Sequence, residues 1–507
     1  MMGSQESRRF FLASTASMST MWGLIGPNGW LRPVTAAESS SVVGPIRFSS
    51  ELEPLVAWLE TTPRDRVVSE LIEKIRGGLP YPTLLGAIFL AGIRNVQPRP
   101  NVGFKFHSVL VVHAAHQASL SATDRDRWLP LLWAADYFKR AQAEDVEQGD
   151  WQMKESPNID RMSSSEALRG FEEGMDAWDV DKADHYATAM ARHASRGQIF
   201  EALARYGCRD FRDIGHKAIY VAGAFRLLDT IGGQSLEPVV RSLTYALLNH
   251  GSAPNPAGQD LDADRPGKSN WDFAPQISDA WTRVESKADQ TREWVALLHQ
   301  ADEPQVREVL QKQLKASSLS WQTLYDGLFL ASSEMVMRQN AIVPLHAVTS
   351  TNAMHYLFQS VRDSNLRLWI MMQNVAFVSL LRKAAADRGQ LRDVHIASTF
   401  AKAEEPTTPA HFLSALGKEK DRASQMAFSL LEQGATPDTL LSMARNLVFS
   451  KGTDSHDYKF SSAIFEDYYH VSPAFRSSYL AGCTQLLHGS SEADTALYRK
   501  VREQLGV

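Results

Sequence analysis

The run TTPRDRVVSELIEKIRGGLPYPTLLGAIFLAGIRNV, residues 61–96, sets the fold class of this chain. Val67, Leu71 and Ile75 recur at intervals of four, which keeps them on one face of a helix. Thr62 can cap that helix, Pro63 suits its first position, and Gly77-Gly78 supplies a stop. Pro82 opens the next helix, with Leu85, Ile88, Phe89 and Gly92 on a shared face. The same punctuation returns at Thr408-Pro409 and Thr436-Pro437. No stretch sustains the apolar/polar alternation of a strand. The chain is therefore predicted to be all-α. At about 25 residues per helix and loop, its 507 residues give roughly 18–20 helices. Arrays of that size stack as a helical repeat or close into an α/α toroid-like ring.

One segment interrupts the pattern at length: GSAPNPAGQDLDADRPGKSNWDFAPQ, residues 251–276. Long loops of this kind serve as lids or binding loops, or are disordered insertions or solvated surface. It separates possible halves, 38–250 and 277–507, of a single large helical domain spanning 38–507. Hydrophobic residues make up 44% of the chain and charged residues 22%, enough for a sizeable core. The net charge of -5 leaves no electrostatic footprint for nucleic acid. Beyond the N-terminus no run is long and apolar enough to span a membrane. Cys208 and Cys483 are the only cysteines, which excludes a disulfide framework and favours two buried thiols.

The first 37 residues read as an address. Ser7-Arg8-Arg9-Phe10-Phe11-Leu12 resembles the twin-arginine signal of bacterial exported proteins, with Ala13 where that pattern carries Lys. A weakly apolar stretch follows, and VTAAES offers a signal-peptidase site after Ala37. The resemblance implies a periplasmic or secreted protein that meets the twin-arginine translocase. Passengers of that route cross folded, many already carrying a metal or organic cofactor.

Chemistry points to the histidines. Within FKFHSVLVVHAAH, His107, His113 and His116 cannot share one ligand on a straight helix, because His107 and His116 lie about 180° apart. His107, His216, His355 and His456 each open an apolar helix behind a polar or Gly-containing turn, with Thr351 or Asn352 capping the helix that carries His355. Delivered to one cavity, four imidazoles can bind iron, copper or zinc. His116 and His346 stand in the second rank, and His113 is expected to pack in the interior. Asp213 is a candidate cap for the His216 helix. Asp457 and Lys459 are candidates to polarise substrate or move protons. An echo between FKFHSVL and YKFSSAI sets Lys105 and Lys459 in like positions. No His-Glu-x-x-His, phosphate loop or nucleophile elbow is present.

FHSVLVVHAAH, GHKAIYVAGAFRLL and NAMHYLFQSV resemble stretches of the questin oxidase-like proteins, in which a His leads into a largely apolar helix. That resemblance covers under a fifth of the chain, and the family mostly lacks an export signal. It implies oxidative chemistry, with pocket roles for His107, His216 and His355. The resulting expectation is an exported, metal-dependent oxidoreductase with a His-lined cavity, taking a small organic or aromatic substrate beneath the 251–276 loop. A helical scaffold without catalysis and a carbohydrate-active α/α toroid are the alternatives.

Overall fold

In the computed structural model, helices and short connections alternate through the described residues. It describes residues 44–506 apart from 100–104, 125, 157, 158, 160, 252 and 401–406. Among the described residues the β content is one isolated bridge, Pro45 to Lys154. The all-α expectation holds. The signal reading falls on residues outside those described.

The helix Arg64–Arg76 buries Val67, Val68, Leu71 and Ile72 and ends at Gly77. Gly78 follows with φ 92°, a conformation glycine adopts without cost. Thr62 does not cap this helix: its hydroxyl donates to Trp58 O and closes the preceding one, leaving Pro63 at the cap. Thr408 does cap its helix, accepting from His411 N, and Pro437 leads the next-but-one as expected. The helices Tyr81–Asn95 and Ser364–Ala386 are buried along most of their length, which is why their sequences are apolar nearly all round. Cys208 and Cys483 are buried and unpaired.

The segment 251–276 is not a bare loop. It carries helical pieces at Pro256–Gly258, Arg265–Phe273 and Ala274–Gln276. Trp369 Nε1 donates to Gly267 O, and Asn270 Nδ2 donates to Gln373, so the segment is tied down onto the helix Ser364–Ala386.

Four helices from distant parts of the chain close a ring. His216–Ile231 packs on Ile342–Ser360, which packs on Ser455–His470. That helix packs on Val112–Ser121, which returns to His216–Ile231. The single-turn helix His107–Leu110 precedes Val112–Ser121 across a turn at Val111.

Candidate metal centre

Three of the ring helices, and the single-turn helix before the fourth, each bring one histidine to the same end. His107 and His216 are the first residues of their helices, His456 is the second of its helix and His346 the fifth. The rings form a closed circuit. Centroids are 4.7 Å apart for His107 and His216, 4.5 Å for His216 and His346, 5.1 Å for His346 and His456, and 4.8 Å for His456 and His107. One nitrogen from each lies within 4.8 Å of the others. His107, His216 and His346 are buried, and His456 is mostly so.

Local chemistry sets the approach of each ring. Asp213, Ile214 and Gly215 are three successive residues with positive φ, at 56°, 48° and 91°. This coil swings the chain into His216, and Gly215 rather than Asp213 stands at the helix start, with no side-chain cap. A Cβ on Gly215 would sit 2.5 Å from the Cβ of Ser350, so glycine alone lets this turn lie against the 346 helix. On that helix, Ser350 Oγ donates to His346 O and Thr349 Oγ1 to Leu345 O. These hydroxyls bond back along the helix instead of breaking it. Asp454 caps the last helix, accepting from His456 N, and its carboxylate also takes the His456 Nδ1 proton at 2.6 Å.

Two tautomers follow from these partners. His346 Nδ1 lies 2.7 Å from Ile342 O and must donate there, and His456 Nδ1 must donate to Asp454. Both therefore turn a lone pair inward from Nε2. His216 Nε2 lies 2.9 Å from His346 Nε2 and 3.1 Å from His107 Nε2. A ring nitrogen has one in-plane position, a proton or a lone pair, so a hydrogen bond satisfies only one of these two contacts. Lone pairs converging on a cation satisfy both. Nitrogens at 2.0–2.1 Å from an ion are about 2.9–3.4 Å apart for angles between a right angle and a tetrahedron. The buried His456 Nε2 has no hydrogen-bond partner among the described residues. The four histidines could hold a metal ion.

Electrostatics favour the neutral form, which ligates, for three of the rings. Burial holds His216 and His346 well below the ordinary imidazole value, and neighbouring His rings and Lys459 add to it. His456 is lowered by burial and Lys459 against the opposing pull of Asp454. Lys459 is buried with no hydrogen-bond partner for its Nζ among the described residues, and burial pushes it down to about 7.

One turn along from the quartet, the same helices line a narrow, partly open void of about 40 Å³. Counting from each histidine, Leu110, Ile219, Thr349 and Lys459 stand three residues on and line its near end. Arg226 and Asn352 also line it; Arg226 meets Glu466 at 2.5 Å, while Asn352 Nδ2 donates to Glu466 and Asp467.

The structure brings together His107, His216, His346 and His456, and puts Lys459 beside them. It does not bring His355. Ile342–Ser360 is one unbroken helix, and nine residues put His355 about half a turn round from His346. His355 faces Tyr325, Phe329 and His470 instead. Nor does it bring His116, which lies on the next helix; its Nδ1 meets Tyr81 Oη at 2.9 Å and its Nε2 meets Thr230 Oγ1 at 3.3 Å. His113 is interior as expected, against Gly223 and along the void. Asp457 turns away, for its Oδ2 accepts from Thr453 N and Asp454 N as half of a capping box. Asp454 is the carboxylate that reaches the site; the Asp-x-x-Asp spacing at 454–457 is the sequence signal for that cap. Lys105 does not match Lys459, because it pairs with Asp145 at 2.7 Å.

The 251–276 segment covers a different cavity, of about 400 Å³, walled by Trp178, Tyr206, Trp271 and Trp369. None of the four histidines lines it. A second grouping, His299, Asp393 and His395, lies at the surface with Asp393 91% exposed. No known protein family, curated protein or solved structure matched this chain in comparison.

Proposed function

We propose that the chain is an exported, metal-dependent oxidoreductase whose centre is His107, His216, His346 and His456. The observation that carries this reading is the double short contact at His216 Nε2, which hydrogen bonding alone leaves half satisfied. Imidazole donors suit iron, copper and zinc, and a redox role calls for iron or copper. Such an ion would supply one-electron chemistry in a dry site. Ile342 O and Asp454 orient two of the ligands, the partners that tune a metal from outside its shell. Lys459 stands where it can hold or pass a proton to a reactant in the void. An aromatic ring needs a cavity of about 150 Å³, so the void of about 40 Å³ favours a reactant of a few atoms. A second reading is a structural zinc site, because four protein ligands fill the tetrahedral shell that such sites use.

Elemental analysis of the purified protein is expected to find one iron or copper per chain. His346→Ala should weaken metal binding by at least the roughly 10–100-fold that loss of outer partners alone costs. His355→Ala should retain the metal. Stoichiometric zinc with no redox response would favour the structural reading. Protein without bound metal, or equal losses in the two variants, would overturn both readings.

A further inference from the structure

The void beneath the quartet has one chemical peculiarity. Lys459 brings a buried amino group to it with no hydrogen-bond partner among the described residues. The carboxylate whose charge acts on it is Asp454, and Asp454 Oδ1 is already committed to His456. Four neutral imidazoles bring no negative charge to balance an ion at the quartet. Three long helices, His216–Ile231, Ile342–Ser360 and Ser455–His470, begin at or within a turn of the same point. Each adds partial positive charge there. Burial disfavours the ammonium form of Lys459 at this place, and an anion beside it favours that form.

We propose that Lys459 holds a small singly charged anion in the void, one helical turn from the quartet. The volume of about 40 Å³ is room for about three water-sized centres at 10–15 Å³ each. That admits an anion of two or three heavy atoms and is too small for phosphate. A dioxygen-derived anion, superoxide or hydroperoxide, has this size and charge. Arg226 and Asn352 stand at the other end of the void, both held by Glu466. Lys459 is a positioning group, contacting the anion and not the metal.

This inference rests on the metal reading of the quartet, and the test separates the two. Cobalt(II) is loaded into the full chain and counted by elemental analysis, and azide is titrated while the visible ligand-field bands are followed. The wild type is expected to bind one cobalt and to show a saturable azide shift. Lys459→Met should keep the cobalt count and weaken azide at least tenfold, with Lys459→Arg restoring most of the affinity. Should Lys459→Met fail to fold, the wild type still decides. Acetonitrile, a neutral rod of similar size, should shift the bands far less than azide at equal concentration. One cobalt per chain with azide affinity unchanged in Lys459→Met, or with equal responses to azide and acetonitrile, overturns the anion seat and leaves the metal site standing. Wild-type protein that takes up no cobalt overturns both.

Discussion

His488 is held between two carboxylates. Its Nε2 lies 3.2 Å from Asp457 and its Nδ1 2.7 Å from Glu492. Burial opposes protonation, but the two acids outweigh it and raise the ring to about 9. An unfolded histidine titrates near 6.5. The folded value is the higher, so the pair stabilises the protein in full below about pH 6.5, and that contribution is lost as pH rises through about 9. Because Asp457 also caps the helix that carries His456, this loosening reaches the start of the candidate centre. Chemical denaturation at pH 6 and pH 10 should show wild type losing about 2–3 kcal/mol more than His488→Gln, at about 1.4 kcal/mol per pKa unit. Parallel pH profiles for the two proteins would show that the ring is not charged in the fold.

At the level of the element, the turn before the 216 helix fixes the site. Ile214 is a β-branched residue at φ 48°, a costly conformation held only because its surroundings fix it. Gly215 beside it must be glycine on two counts, its φ and the proximity of Ser350. Gly215→Ala should cost about 1–3 kcal/mol in backbone strain alone and push the 216 helix off the 346 helix. Metal binding should then fall as it does for a ligand variant, as read by elemental analysis and thermal melting. A variant that melts lower yet keeps its metal would show that this turn stabilises the fold without placing His216.

The grammar of these helices was legible in sequence: His107, His216 and His456 do open helices behind polar or glycine turns. What misled was TST at 349–351, which reads as a cap when hydroxyls are judged by type. Their bonds back to Leu345 O and His346 O keep the helix intact and exchange His346 for His355. Asp457 does not serve the site, because a carboxylate three residues into a helix belongs to the backbone first. The αL run at 213–215 left no sequence mark beyond Gly215, and an isoleucine there argues against it. The void and the arrangement of four helices around it depend on long-range packing that periodicity does not encode.

Over the whole molecule, location and metal are linked. The export proposal rests on Arg8 and Arg9, and the twin-arginine route carries folded passengers. Replacing both arginines with lysine should leave the precursor in the cytoplasm, folded and already loaded, as judged by fractionation and metal content. Unchanged export of that variant would remove the twin-arginine reading. The closed ring of helices has a topological side as well. Successive members of the quartet are separated by more than a hundred residues each, and over two thirds of the chain lies between His107 and His456. An ion held by all four is a staple closing three long loops, and closing a loop of that size removes about 4–5 kcal/mol of unfolded-chain entropy in the cross-link picture. Taking such a staple out would be felt far from the site, as a loss of cooperativity between the early and late parts of the chain.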